Sequence, residues 1–197
     1  MDITAALIAD LREKTGLGIM KCKEALLATQ GDIEKAIEYL RKKGLADASK
    51  KAHRATSEGV VGSYIHHSNK LAVLVEVMCE TDFVAKTDDF QQLVRDVAMH
   101  IASANPAYLD PESVPADVLE KERAIYTEQV AALGKPQNIV EKIVDGKVSK
   151  FYTQFCLLKQ QFVKDEEKTV EEVIKAVIAK LGENIRIGRF VRMSLGE

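Results

Sequence analysis

Three cysteines and four histidines are the side chains of this 197-residue chain that could supply a nucleophile, a base or a soft metal ligand. Cys22, Cys79 and Cys156 lie far apart with no paired spacing, which speaks against both a zinc site and a disulfide framework and fits a reducing compartment. A reactive thiol needs a base beside it, and His53, His66, His67 and His100 stand in no local motif that pairs one with a cysteine. His66 and His67 are adjacent, and adjacent side chains on a strand point to opposite faces, so they make a poor metal pair. Cys79 falls on the apolar side of an alternating run and reads as a buried structural thiol. No catalytic residue, metal or cofactor is assigned, and an enzyme is the disfavoured reading.

Another kind of chemistry is offered by Thr81-Asp82-Phe83-Val84-Ala85-Lys86, which follows a β-type run. Where a strand gives way to a helix, side chains project from a rigid base. An aromatic placed there brings desolvated contact area to a partner, and a carboxylate brings a directional, charged hydrogen bond. Residue type alone favours a plainer assignment, with Phe83 in the core and Asp82 capping the next helix. Near the start of the chain, Arg12 with the apolar pair Ile19 and Met20 would make a small binding surface, although Met20 equally suits a core.

The elements that must carry these residues are legible in the spacing. Leu7, Ile8 and Leu11 share one helical face, and Thr15-Gly16-Leu17-Gly18 stops that helix. Met20, Cys22, Ala25 and Leu26 are the inward positions expected of a second helix ending at Gly31. Asp32 caps a third, in which Ile33, Ala36, Ile37 and Leu40 recur at helical spacing until Gly44 terminates it. From Lys42 to Glu58 the chain is basic and alanine-rich and reads as a connector, in part helical. Its Lys50, Lys51, His53 and Arg54 suit a solvated face better than a nucleic-acid patch.

Val60 to His67 and Leu71 to Glu80 flank Ser68-Asn69-Lys70 as a hairpin, with Leu71, Val73, Val75, Val77 and Cys79 pointing one way. Thr87 and Asp88 then offer caps for a helix striped by Phe90, Leu93, Val94, Val97, Ala98 and Ile101 and closed by Asn105-Pro106. Between Asp110 and Leu158, Pro115 opens a charged helix through about Leu133. Gly134-Lys135-Pro136 breaks it, and shorter helical pieces carry Ile139, Ile143, Phe151 and Phe155, for a helical hairpin overall. Thr169 with Glu172 forms a capping box before Val170, Val173, Ile174, Val177, Ile178 and Leu181, a helix that ends at Gly182. Ile185 to Leu195 alternates as a third antiparallel strand whose phase slips at Arg189-Phe190, suggesting a bulge.

Composition bounds the function. The chain is 46% hydrophobic and 29% charged with a net charge of −2, so it lacks the excess of Lys and Arg that a phosphate backbone demands. No apolar run approaches the ~20 residues of a membrane span. Met1 leads directly into a patterned segment carrying Asp2, Asp10 and Glu13 rather than a signal peptide, and a cytoplasmic location is expected. Trp is absent and Phe and Tyr mostly follow core spacing, which disfavours RNA binding; a helical-module adaptor for another protein or RNA is the alternative function.

Several segments resemble the elongation factor Ts family. They are Leu11-Arg12-Glu13-Lys14-Thr15-Gly16, Gly18, Met20-Lys21-Cys22-Lys23-Glu24-Ala25-Leu26, Thr81-Asp82-Phe83-Val84-Ala85-Lys86, Phe162-Val163-Lys164-Asp165, Lys180-Leu181-Gly182-Glu183-Asn184-Ile185 and Arg189-Phe190, in family order over nearly the whole chain. The resemblance implies an α+β protein. Residues 1–54 would form a three-helix, ubiquitin-associated-like module with its linker, and 55–197 a core with a three-stranded antiparallel sheet, packed helices and a helical hairpin. It implies guanine nucleotide exchange on elongation factor Tu without covalent chemistry. Phe83 would insert between helices of the GTPase domain and Asp82 would help disturb the Mg²⁺ region, within a contact formed by Thr81, Asp82, Phe83 and Val84. Arg12, Ile19 and Met20 match further contact positions, Ile19 standing where the family has Met. One hairpin and one Thr-Asp-Phe-Val-Ala motif mark the short form, which implies a homodimer; a small sheet with an open edge gives an independent reason for pairing.

Overall fold

A computed structural model describes residues 3–131 and 136–196. The chain forms two compact units. The first holds the described residues of Met1–Gly62, Val75–Arg95 and Glu172–Gly188; the second holds those of Ser63–Leu74, Asp96–Glu171 and Arg189–Glu197. A three-stranded antiparallel sheet in the order β1-β2-β5 is built from β1 (Glu58–Ile65), β2 (Leu71–Cys79) and β5 (Ile185–Ser194). With its helices this makes the protein α+β.

In the first unit, α1 (Ala5–Thr15), α2 (Ile19–Ala28) and α3 (Ile33–Lys51) pack around Leu11, Cys22, Ala25, Leu26, Ala36 and Leu40. Thr4 caps α1 by accepting from the Leu7 N–H, and Asp32 caps α3 by accepting from the Lys35 N–H at 3.0 Å. Gly16, at φ 66°, closes α1 in the left-handed conformation that glycine adopts without a Cβ clash. Two expectations fail here. Met20 does not point inward but lies 75% exposed beside exposed Ile19. Gly44 does not end the third helix, which runs seven residues further, to Lys51, through the stretch expected to be a connector. A Cβ at Gly44 would lie 3.0 Å from the Ala179 side chain, so the glycine serves close approach to α8 (Val170–Leu181) rather than termination.

Sheet and helix meet as closely. β2 buries Val73, Val75, Val77 and Cys79 on the face that its alternation marks as apolar. α5 (Asp88–Ala104) is opened by Thr87, whose hydroxyl accepts from the Phe90 N–H at 3.3 Å. Its stripe Phe90, Leu93, Val94, Val97, Ala98 and Ile101 is buried. A Cβ at Gly62 on β1 would fall 2.1 Å from Val94 Cγ1, so only glycine lets the helix sit this near the strand. Along β5 the burial alternation changes phase after Ile187, close to the expected slip at Arg189-Phe190.

The second unit contains a helical hairpin of α6 (Ala116–Ala131) and α7 (Gln137–Phe155). Val130, Val140 and Val144 pack at one level with Tyr126 and Ile143, and Val114, Phe151 and Cys156 at another with Tyr108 and Phe155. Arg123 and Asp145 pair across the helices at 3.1 Å. The expected run of shorter pieces is one continuous helix, α7, because Gly146 is a lone helix-weakening residue among good apolar contacts. Leu133, Gly134 and Lys135, expected at the break, lie outside the described residues.

A short pair of strands, β3 (Gln161–Phe162) and β4 (Asp165–Thr169), precedes α8 and has no alternation to announce it. His100 is fully buried in this unit. Its Nδ1 accepts from the Val163 N–H at 3.2 Å, which leaves Nε2–H to donate to Gln160 Oε1 at 3.0 Å and fixes the neutral tautomer. Burial holds its pKa below the ordinary histidine value.

Filling the gap at Gly62 tests the packing. Gly62→Ala should lower the unfolding free energy by about 1–3 kcal/mol in urea denaturation. Adding Val94→Ala, which vacates the same space, should cost less than the two single losses summed.

Candidate functional site

The segment Thr81 to Val84 lies at the corner between β2 and α4 (Asp82–Ala85), a single helical turn. Thr81 is extended, at φ −129° and ψ 154°, and its hydroxyl caps the turn by accepting from the Val84 N–H at 3.4 Å. The cap is therefore Thr81, not Asp82. Ala85 is buried, and its carbonyl accepts from the Gln91 side-chain amide at 2.7 Å, so the turn is held at both ends. Before the corner, the Cys79 thiol donates to the Thr81 carbonyl at 3.2 Å, and burial raises that thiol's pKa.

A second segment grips the same corner. Glu183 Oε2 accepts from the Thr81 N–H at 3.0 Å and Glu183 Oε1 from the Thr81 hydroxyl at 2.7 Å. Reciprocally, Glu80 Oε1 accepts from the Asn184 N–H at 2.6 Å. The side-chain amide of buried Asn184 donates to the carbonyls of Ala52 and Arg54, at the end of α3.

What the corner presents is Phe83, 78% exposed, which overturns its assignment to the core. Asp82 pairs with Lys86 at 2.6 Å one turn on, and that hydrogen bond holds the Asp82 carboxyl below its usual pKa. Exposed i,i+4 pairs are weak, so the carboxylate can exchange Lys86 for another partner at little cost. Val84 is half-buried against the corner. The other candidates, Arg12, Ile19 and Met20, are all exposed and flank the turn between α1 and α2. Lys180, from the last turn of α8, lies against that turn: its Cε is 2.9 Å from where a Cβ would stand on Gly16. Lys180 also pairs with Asp89 at 2.6 Å.

The three cysteines are buried and free, and burial pushes the Cys156 thiol up to about 11. Among the described residues, no three His, Cys, Asp or Glu side chains gather as a metal group, and no helix is long and apolar enough to cross a membrane. The grip by Glu183 escaped the sequence reading. Its partner is 102 positions away, and the only local sign is a pair of polar residues between the Gly182 stop and an apolar strand.

A family model described as elongation factor TS matches residues 23–197. The chain belongs to the elongation factor Ts family. Curated relatives of that name include the proteins of Geobacter metallireducens, 59% identical over all of this chain and 91% of the relative, and Desulfosudis oleivorans, 57% identical over 99% and 98%. The elongation factor Ts of Fervidobacterium nodosum is 54% identical over the full length of both chains.

An exposed aromatic does not hold a fold together. Phe83→Ala should leave the unfolding free energy within about 0.5 kcal/mol of wild type by chemical denaturation. Fully buried Phe90→Ala should cost about 3–5 kcal/mol in the same measurement.

Proposed function

We propose that the chain is a guanine nucleotide exchange factor for elongation factor Tu, acting in the cytoplasm during translation elongation. The observation that carries this reading is Phe83, a large aromatic held 78% exposed on a corner braced from both sides, in a chain of the elongation factor Ts family. Exchange requires no nucleophile or base. It requires a surface that binds the nucleotide-free GTPase better than the loaded one, and linkage then ensures that returning nucleotide releases the factor. GTPases hold their nucleotide through phosphate and Mg²⁺ contacts made by orderable loops, so displacing those loops weakens binding without touching the base.

In this mechanism Phe83 is the wedge. Its ring enters a gap between helices of the GTPase and is desolvated there, which supplies the contact energy. Asp82 leaves Lys86 and accepts a hydrogen bond near the Mg²⁺ site. Thr81 and Val84 hold the turn that carries them. Arg12, Ile19 and Met20, on the module of residues 1–54, form a second contact that tethers the GTPase, while residues 55–197 act as the gripping core.

The chain further pairs as a homodimer. Ile65 on β1, Leu74 on β2, and Val191, Met193 and Leu195 on or just beyond β5 are all exposed in the second unit. Arg192 takes the opposite direction, its Nε donating to the Ala102 carbonyl at 3.3 Å, so the neighbouring Val191 and Met193 share the outer sheet face. Apolar side chains gathered this way mark a face for association.

Release of a fluorescent GDP analogue from elongation factor Tu tests exchange directly: catalytic amounts of the protein should accelerate it, and Phe83→Ala should lower the effect more than about tenfold, the scale of losing ~1.4 kcal/mol of contact. No acceleration by the wild-type protein would refute the reading. Light scattering at micromolar concentration should give a dimer mass, and Leu74→Asp with Met193→Asp a monomer; a monomeric wild type would refute the pairing.

A further inference from the structure

α4 is one helical turn, too short to fix its own direction, so whatever orients Phe83 must come from outside it. The entry to the turn, Thr81, donates to a carboxylate 102 residues away, and the exit, Ala85, accepts from the Gln91 amide. Glu183 places one oxygen on the Thr81 N–H and the other on the Thr81 hydroxyl, both within hydrogen-bond distance, and is itself half-buried. With its proton given to Glu183, the Thr81 hydroxyl turns a lone pair toward the Val84 N–H, so carboxylate, hydroxyl and helix amide form one polarised chain. Glu183 is in turn fixed by its neighbours. Gly182, at φ 85°, ends α8 immediately before it, and Asn184 immediately after it is bonded to Glu80, Ala52 and Arg54.

We propose that Glu183 is the positioning residue for the exchange tip: it touches neither nucleotide nor GTPase, but sets the direction of the turn carrying Asp82 and Phe83. This rests on the exchange reading above. A tip aimed in the free protein meets its target without first being ordered, so loss of the clamp weakens exchange through Phe83 and not through the fold.

A double-mutant cycle in the nucleotide-release assay tests it, with the thermal midpoint of each variant measured alongside. Glu183→Ala should lower exchange about tenfold or more at a nearly unchanged midpoint. In an Asp82→Ala, Phe83→Ala background, which has no tip to aim, the same change should have almost no further effect. Glu183→Gln should recover exchange to within about threefold of wild type, because its oxygen can accept from the Thr81 N–H while its NH₂ donates to the hydroxyl. Should Glu183→Ala fail to fold, Glu183→Asp, one methylene short of Thr81, carries the same comparison. Wild-type exchange in the clamp variant, or an equal loss with and without the tip, overturns the positioning role and leaves the exchange reading standing. No acceleration by the wild-type protein removes the exchange reading, full activity without the tip removes only Phe83 as its wedge, and in either case the positioning role falls with it.

Discussion

The Glu183 carboxylate, accepting two hydrogen bonds from Thr81, joins two segments that lie far apart in sequence. One is the exit of a strand, the other the exit of a helix. Backbone donors at such exits must find acceptors or remain in water, and here each segment supplies the acceptor for the other through Glu183 and Glu80. Because both groups are partly withdrawn from solvent, the exchange is stronger than its surface equivalent, and removing either carboxylate would leave a donor unmet. The Thr81 hydroxyl held by Glu183 also caps the projecting turn, and Asn184, next in the chain, bonds to the end of α3.

Much of the architecture could be read from periodicity. The hairpin of β1 and β2, the stripe of α5 and the final helix and strand each show one dominant spacing, and each formed as that spacing requires. The misreading at Gly44 has a physical origin: glycine is a weak helix former, but propensity is a small local term, and a tertiary contact such as that between α3 and Ala179 outweighs it. β3 escaped notice because two residues are too few to show alternation, and β4 because Asp165–Thr169 is polar throughout.

The site was legible in part. Thr81 and Phe83 declared themselves through their place after an alternating strand, but burial could not be assigned from residue type: Phe83 resembles any core aromatic until the chain is folded. Met20 is the same case at the other surface, a residue whose spacing suits the inside while the structure leaves it outside. The grip of Glu183 was invisible for another reason. Polar pairing between distant segments has no period, so it emerges only when the fold brings the partners together.

The cysteines carry a further consequence. All three are enclosed, and the thiol of Cys79 lies inside the corner itself, donating to the backbone of Thr81. A thiol kept protonated and out of reach of peroxide is a poor target for oxidants. The working corner therefore contains sulfur without inheriting its redox sensitivity, and its shape should endure bursts of oxidative stress that inactivate proteins relying on exposed thiolates.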